Sequence, residues 1–139
     1  MKTSPKKIAH IGIAVKSLNQ SLPFYTDHLG LELEKVETVE SEKVNIAFLK
    51  IGETWLELLE PIEDSSPIHK FIDRKGEGIH HIALEVENLA SRIKSLMSSG
   101  IQMINEEPKI GANESLISFI HPKSTNGVLL ELCEHKGED

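Results

Sequence analysis

Two stretches of this chain read as one structural unit written twice. Ile8-Ala9-His10-Ile11 matches Ile79-His80-His81-Ile82 at an offset of 71 residues, Leu18 matches Leu89 at 71, Gly30 matches Gly100 at 70, and Phe48 matches Phe119 at 71. Glu57 in TWLELLEP matches Glu131 in VLLELCEH at 74, which implies a small insertion before the last strand. A unit this short cannot bury its own apolar face, so the duplication points to two halves that complete each other. The length of 139 residues suits that reading: one domain of ordinary size, or two small modules sharing a core.

Each half follows the same order of elements. IAHIGIAV (8–15) is rich in β-branched residues and reads as a strand. A helix follows, with Ser17-x-x-Gln20 resembling a capping box. Pro23 sits deep for a helix begun at Ser17, so the spacing puts the regular start at Ser21 after a preliminary turn. Leu18, Leu22, Tyr25 and Leu29 then share one helical face, and Gly30 stops it. Strands are expected near 31–39, 43–51 and 54–60, with Gly52-Glu53 as the tight turn between the last two. Residues 61–77 read as a connection with a short helix capped near Ser65 or Ser66. GIHHIALEV (78–86) restarts the pattern as a strand. Asn88 is the expected cap of a helix carrying Leu89, Ile93 and Leu96 on one face and ending at Gly100. Strands are expected near 101–105, 115–120 and 127–134. The fold class is therefore α+β: two tandem βαβββ modules, about 7–60 and 78–134, with loose tails at 1–6 and 135–139.

Composition excludes several function classes. No apolar run approaches the ~20 residues of a membrane span. MKTSPKK runs into a strand pattern broken by His10, which is unlike a signal peptide. The single Cys rules out an internal disulfide framework and suits a reducing cytoplasm. A net charge of −7 argues against a nucleic-acid surface. No GxxxxGK[ST] loop is present to cradle phosphates.

Seven histidines in so short a chain invite the question of which are placed as ligands. In the first strand, Ala9, Ile11, Ile13 and Val15 share the face expected against the helix. His10 shares the other with Ile8, Gly12 and Ala14, whose small members leave room for a ligand. In the strand at 78–86, His81 lies opposite Ile82, Leu84 and Val86. Alternation thus selects His81, not His80, as the counterpart of His10. Glu57 and Glu131 each sit within an apolar run, where an unpaired buried carboxylate costs several kcal/mol, on the order expected for an isolated charge. Taken singly, each fits an outward residue on a half-buried strand. Taken together, two His and two Glu at matching positions in matching modules would meet in one cleft. Such a set suits a borderline or hard divalent ion such as Co2+, Ni2+, Zn2+, Mn2+ or Fe(II), with positions left for water or substrate; Co2+ is the ion expected. His28, His69, His80, His121 and His135 have ordinary explanations. Phe24, Tyr25 and Phe48 read as core, and Cys133 as a small buried residue.

HIGIAV, LPFYTDHLGL, EGIHHIALEV and HPKSTNGVLLELCE resemble the vicinal oxygen chelate superfamily, and within it the methylmalonyl-CoA epimerases. The resemblance covers residues 7–134. Its more specific pieces are SPIHKFIDRKGEGIHHIALEV, EEPKIGANE and HPKSTNGVLLEL. It implies a curved mixed sheet around a metal cleft, a homodimer, an acyl-CoA substrate and a place in propionate metabolism. It also implies His10, His81 and Glu131 as metal ligands, with Glu57 where epimerases carry a further Gln or Glu at the metal. One departure stands out: Ile46 in KVNIAFLKI occupies the position where some epimerases carry an acid/base carboxylate.

Epimerisation requires loss of the α-proton and its return on the opposite face, with the enolate stabilised at the metal. Glu131 is the leading base and Glu57 the second. Lys70, Arg74, Lys75, Lys109 and Lys123 could meet the polyanionic coenzyme, but each reads equally as a solvated surface charge. Two other functions fit the same pattern: a glyoxalase I-type lactoylglutathione lyase, and a non-catalytic drug-binding module.

Overall fold

The computed structural model describes residues 3–135. Met1, Lys2 and residues 136–139, parts of the two expected tails, lie outside the described residues. The chain divides into two compact units, one running from His10 to His80 and the other combining the residues up to Ala9 with those from His81 onward. Each is α+β with a mixed sheet, and the element order is the expected βαβββ twice over.

The His10–His80 unit has the strand order β2-β3-β4-β1. Strand β1 (Lys7–Ala14) runs parallel to β4 (Thr54–Pro61), which pairs antiparallel with β3 (Val44–Ile51), and β3 pairs antiparallel with β2 (Glu32–Val39). Ala47, Leu49 and Leu58 are fully buried beneath Val15, Leu18, Leu22 and Tyr25. Gly52, at φ 56, makes the two-residue turn between β3 and β4. Helix α2 (Pro67–Lys75) follows β4, with Ser66 as its cap and Pro67 in its first turn, as the connection suggested.

The helix after β1 differs from expectation. It begins directly at Ser17, whose side chain accepts from the Gln20 N–H at 3.2 Å, and α1 runs Leu18–Pro23. Ser21 is not its start. Proline has no N–H to continue the α pattern, and the chain passes into a π-helical stretch, Phe24–His28. The wider turn rotates the face: Leu29 is exposed, and Leu31 packs in the core instead. Phe24, expected inside, is also exposed.

In the other unit the order is β5-β8-β7-β6. Strand β5 (Gly78–Glu85) is parallel to β8 (Leu130–Glu134), which is antiparallel to β7 (Leu116–Ile120). Helix α3 (Leu89–Ser98) lays Leu89, Ile93 and Leu96 against Val86, Met103, Ile120 and Leu132. Ala9 packs here, with Ala83, Ile117 and Cys133, rather than under α1 as alternation suggested. The strand expected at 101–105 is reduced to one bridge, Met103 to Ile120. Backbone bonds flank the bridge, from the Ile104 N–H to the Phe119 carbonyl at 2.8 Å and from the His121 N–H to the Gln102 carbonyl at 2.9 Å. Side chains take over beyond it: Asn105 accepts from the Phe119 N–H at 2.9 Å, and the Ser118 hydroxyl donates to the Asn105 carbonyl at 2.6 Å. The short strand β6 lies later, at Lys109–Ile110. Strand β8 starts at Leu130 rather than near 127, since Gly127 holds a φ of 84 that a strand cannot continue.

The duplication extends to a device that local pattern did not reveal. The first N–H of α1, on Leu18, donates to the Glu60 carboxylate at 3.0 Å, and the first N–H of α3, on Leu89, donates to the Glu134 carboxylate at 3.0 Å. Each strand that follows a module's hairpin thus sends an anion to the positive end of that module's helix. Asn88 occupies the cap position of α3, but in a left-handed conformation and without a side-chain capping bond. Glu60→Ala and Glu134→Ala should each lower stability by about 1 kcal/mol, the usual worth of a helix N-terminal acceptor. Asn88→Gly should change it by less than about 0.5 kcal/mol, because glycine accepts the positive φ and no cap is lost. Urea denaturation of the three variants measures the difference.

Candidate functional site

The strand registers place the four selected residues as two equivalent pairs. Within the His10–His80 unit, Gly12 lies opposite Glu57 across the parallel β1/β4 pairing, and Phe48 lies opposite Glu57 across β3/β4. In the other unit, Ala83 lies opposite Glu131 across β5/β8, and Phe119 lies opposite Glu131 across β7/β8. Each carboxylate is therefore flanked by a small residue on one side and an aromatic on the other. The small residue opens the space that the histidine two positions earlier enters.

His10 Nδ1 stands 3.2 Å from Glu57 Oε2, and His81 Nε2 stands 3.1 Å from Glu131 Oε1. All four side chains are 12% exposed or less. A carboxylate this buried would be costly unless it met a hydrogen-bond donor or a cation, and the imidazole supplies that contact in each unit. The aromatic neighbours fix the geometry further. Phe119 meets the His81 ring edge-on at 5.6 Å, while Phe48 meets Trp55 edge-on at 5.9 Å. Trp55 is the residue opposite His10 in the β1/β4 register. Phe48 and Phe119 repeat at the duplication offset, which the sequence showed, but Phe48 read there only as core and neither was linked to a carboxylate.

The five remaining histidines make local contacts. His69 stands 3.6 Å from Asp64 and 3.5 Å from Asp73 on the exposed side of α2. His80 meets Phe71 edge-on at 5.0 Å, in keeping with its place on the other face of β5. His121 Nδ1 accepts from the Lys123 N–H at 2.9 Å, His135 stands 3.6 Å from Glu85, and the His28 ring tilts toward Phe24. Cys133 is buried and its thiol faces the Leu84 carbonyl. No helix of the described residues is long and apolar enough to cross a membrane.

Residues 9–119 match the model of the Glyoxalase/Bleomycin resistance protein/Dioxygenase superfamily. The mitochondrial methylmalonyl-CoA epimerase of Mus musculus is 35% identical over 91% of this chain and 71% of its own length. The chain belongs to the glyoxalase superfamily, in its methylmalonyl-CoA epimerase family. A second relative, the uncharacterized protein YqjC of Bacillus subtilis, is 46% identical over 95% of this chain and 94% of its own. Among solved structures, a methylmalonyl-CoA epimerase in complex with methylmalonyl-CoA and NH4+ superposes with a TM-score of 0.91 at 35% identity, covering 96% of this chain and 97% of that one. The named epimerases are isomerases, and the likeness to them spans both units of this chain.

Glu131→Gln should stabilise the metal-free protein. The amide can still accept from His81, while the cost of burying a charge disappears. With chelator present, the expected gain is about 1 kcal/mol, or a rise in melting temperature of roughly 2–6 °C for a domain of this size. Calorimetry at neutral pH checks it, and a lower melting temperature would contradict it.

Proposed function

We propose that this protein is a metal-dependent epimerase that interconverts the two configurations of methylmalonyl-CoA. The observation that carries the reading is the buried imidazole–carboxylate pair, repeated in both halves of a chain of this family. A fold needs no such pair for stability, since apolar residues of similar volume would fill the same sites at lower cost.

The donor chemistry fits a divalent ion. One unit offers an imidazole and a carboxylate in His10 and Glu57, and the other offers the same donors in His81 and Glu131. The set contains no thiolate, which suits an ion of the Co2+, Ni2+, Zn2+ or Mn2+ kind with positions left for substrate over a closed structural zinc. When bound, such an ion supplies Lewis-acid stabilisation for negative charge developing on the thioester oxygen.

The protein's own groups do the rest. His10 and His81 would offer neutral imidazole nitrogens to the ion, and each stands against a carboxylate that orients its ring. Glu131 takes the α-proton as general base and gives it up to water between turnovers. Glu57 is the second carboxylate able to serve. The apolar strand faces around the pairs exclude water from a carbon that is briefly very basic.

The test uses the chelated and Co2+-reconstituted protein in deuterated water. Reconstituted protein should epimerise methylmalonyl-CoA and exchange its α-proton, and chelated protein should do neither. Glu131→Gln should lower the exchange by roughly 100-fold or more, the usual worth of a general base. Wild-type exchange in that variant would overturn the role of Glu131. Turnover of the methylglyoxal–glutathione hemithioacetal in place of methylmalonyl-CoA would overturn the substrate.

A further inference from the structure

Proton return on the opposite face needs a second carrier, and β3, next to the strand that bears Glu57, has the buried apolar Ile46 and Phe48, and no carboxylate, on the face it shares with that glutamate. We propose that Glu37 on the neighbouring strand is that carrier. The proposal deepens the epimerase reading and rests on it.

Three features of the His10–His80 unit converge on Glu37. The first is register. Glu37 lies directly opposite Ile46 across β2/β3, and Ile46 shares its face of β3 with Phe48, which lies opposite Glu57. Directly opposed residues of an antiparallel pair project to the same side. Glu37 and Glu57 therefore share a sheet face, two strands apart, or about 10 Å between backbones.

The second feature is a β-bulge. Leu33 pairs with Leu49 and Lys35 with Phe48, so Glu34 is an extra residue on β2. A bulge shifts every later side chain to the opposite face. Without it, Val36 would face inward and Glu37 outward. The sequence alternation of ELEKVETV gave no hint of this, because an inserted residue is invisible to a period of two.

The third feature is the environment. Most of β2 is exposed, yet Glu37 is half-buried and its Oε1 lies out of solvent. Lys35, one position along the same face, stands 3.5 Å from that oxygen and over the Phe48 ring at 5.3 Å. A cation anchored to the site-side aromatic thus holds the carboxylate in position.

The step balances with Glu131, the general base proposed above, and Glu37 as the two carriers. The α-carbon–hydrogen bond breaks and its proton passes to the carboxylate on one face, while the electron pair delocalises into the thioester carbonyl. The carboxylic acid on the other face then gives its O–H proton to the same carbon. One carrier ends protonated and the other ionised, and exchange with water resets them. Glu37 serves one configuration as acid and the other as base.

Single configurations of methylmalonyl-CoA in deuterated water test it, with wild type, Glu37→Gln and the double variant Glu37→Gln/Ile46→Glu. Glu37→Gln should keep α-proton exchange with one configuration and lose it with the other, and inversion should fall roughly 100-fold or more. Its melting temperature should stay near that of wild type, since the amide is isosteric and partly exposed. The double variant should regain inversion, because it returns a carboxylate to the cross-strand position. Wild-type inversion in Glu37→Gln, equal loss of exchange with both configurations, or a double variant no better than the single one would each overturn the proposal. Wild-type protein that neither exchanges nor inverts would overturn the epimerase reading itself, and the proposal with it.

Discussion

A buried carboxylate facing an imidazole is the costliest arrangement in this protein, and it occurs once in each half. Each unit spends the centre of its sheet on it. A small residue, Gly12 or Ala83, stands opposite the glutamate, and an aromatic, Phe48 or Phe119, closes the other flank. Stability alone would favour apolar residues at these positions. Under the proposed function the pairs are donors held ready for a cation, with the cost of desolvating the carboxylates met in folding and recovered on binding.

The same logic runs through the parts that hold the pairs in place. In each unit the strand bearing the site glutamate also bears a second one, Glu60 or Glu134, three residues on. Odd spacing sends it to the opposite face, where it accepts the first N–H of the module's helix. One strand therefore anchors the helix on one side and carries the site on the other. A change that displaced the helix would shift the strand and the carboxylate with it.

Much of this was legible in the sequence because both signals are periodic. Alternation alone separated His81 from His80, and the offset of the duplication tied His10, His81, Glu57 and Glu131 together. What escaped has a physical pattern too. Pro23 converts the end of α1 to a π-helical stretch and exchanges Leu29 for Leu31 in the core, an effect of a missing donor rather than of hydrophobic spacing. The strand expected at 101–105 shrinks to a bridge at Met103, because beyond Ile104 the side chains of Asn105 and Ser118 take the bonds a longer ladder would make. The helix anchors come from residues more than 40 positions away. The inward turn of Glu37 depends on one bulged residue. Non-local bonds and single-residue insertions leave no period to read.

Central to the proposed function is that these His and carboxylate donors bind one divalent ion per chain. Titration of chelator-treated protein with Co2+, followed by calorimetry and by the visible spectrum of the ion, tests that directly. One ion per chain is the expected result, with binding weakened by His10→Ala and by His81→Ala alike. Two ions per chain, each lost with only one of the histidines, or no binding at all, would contradict it.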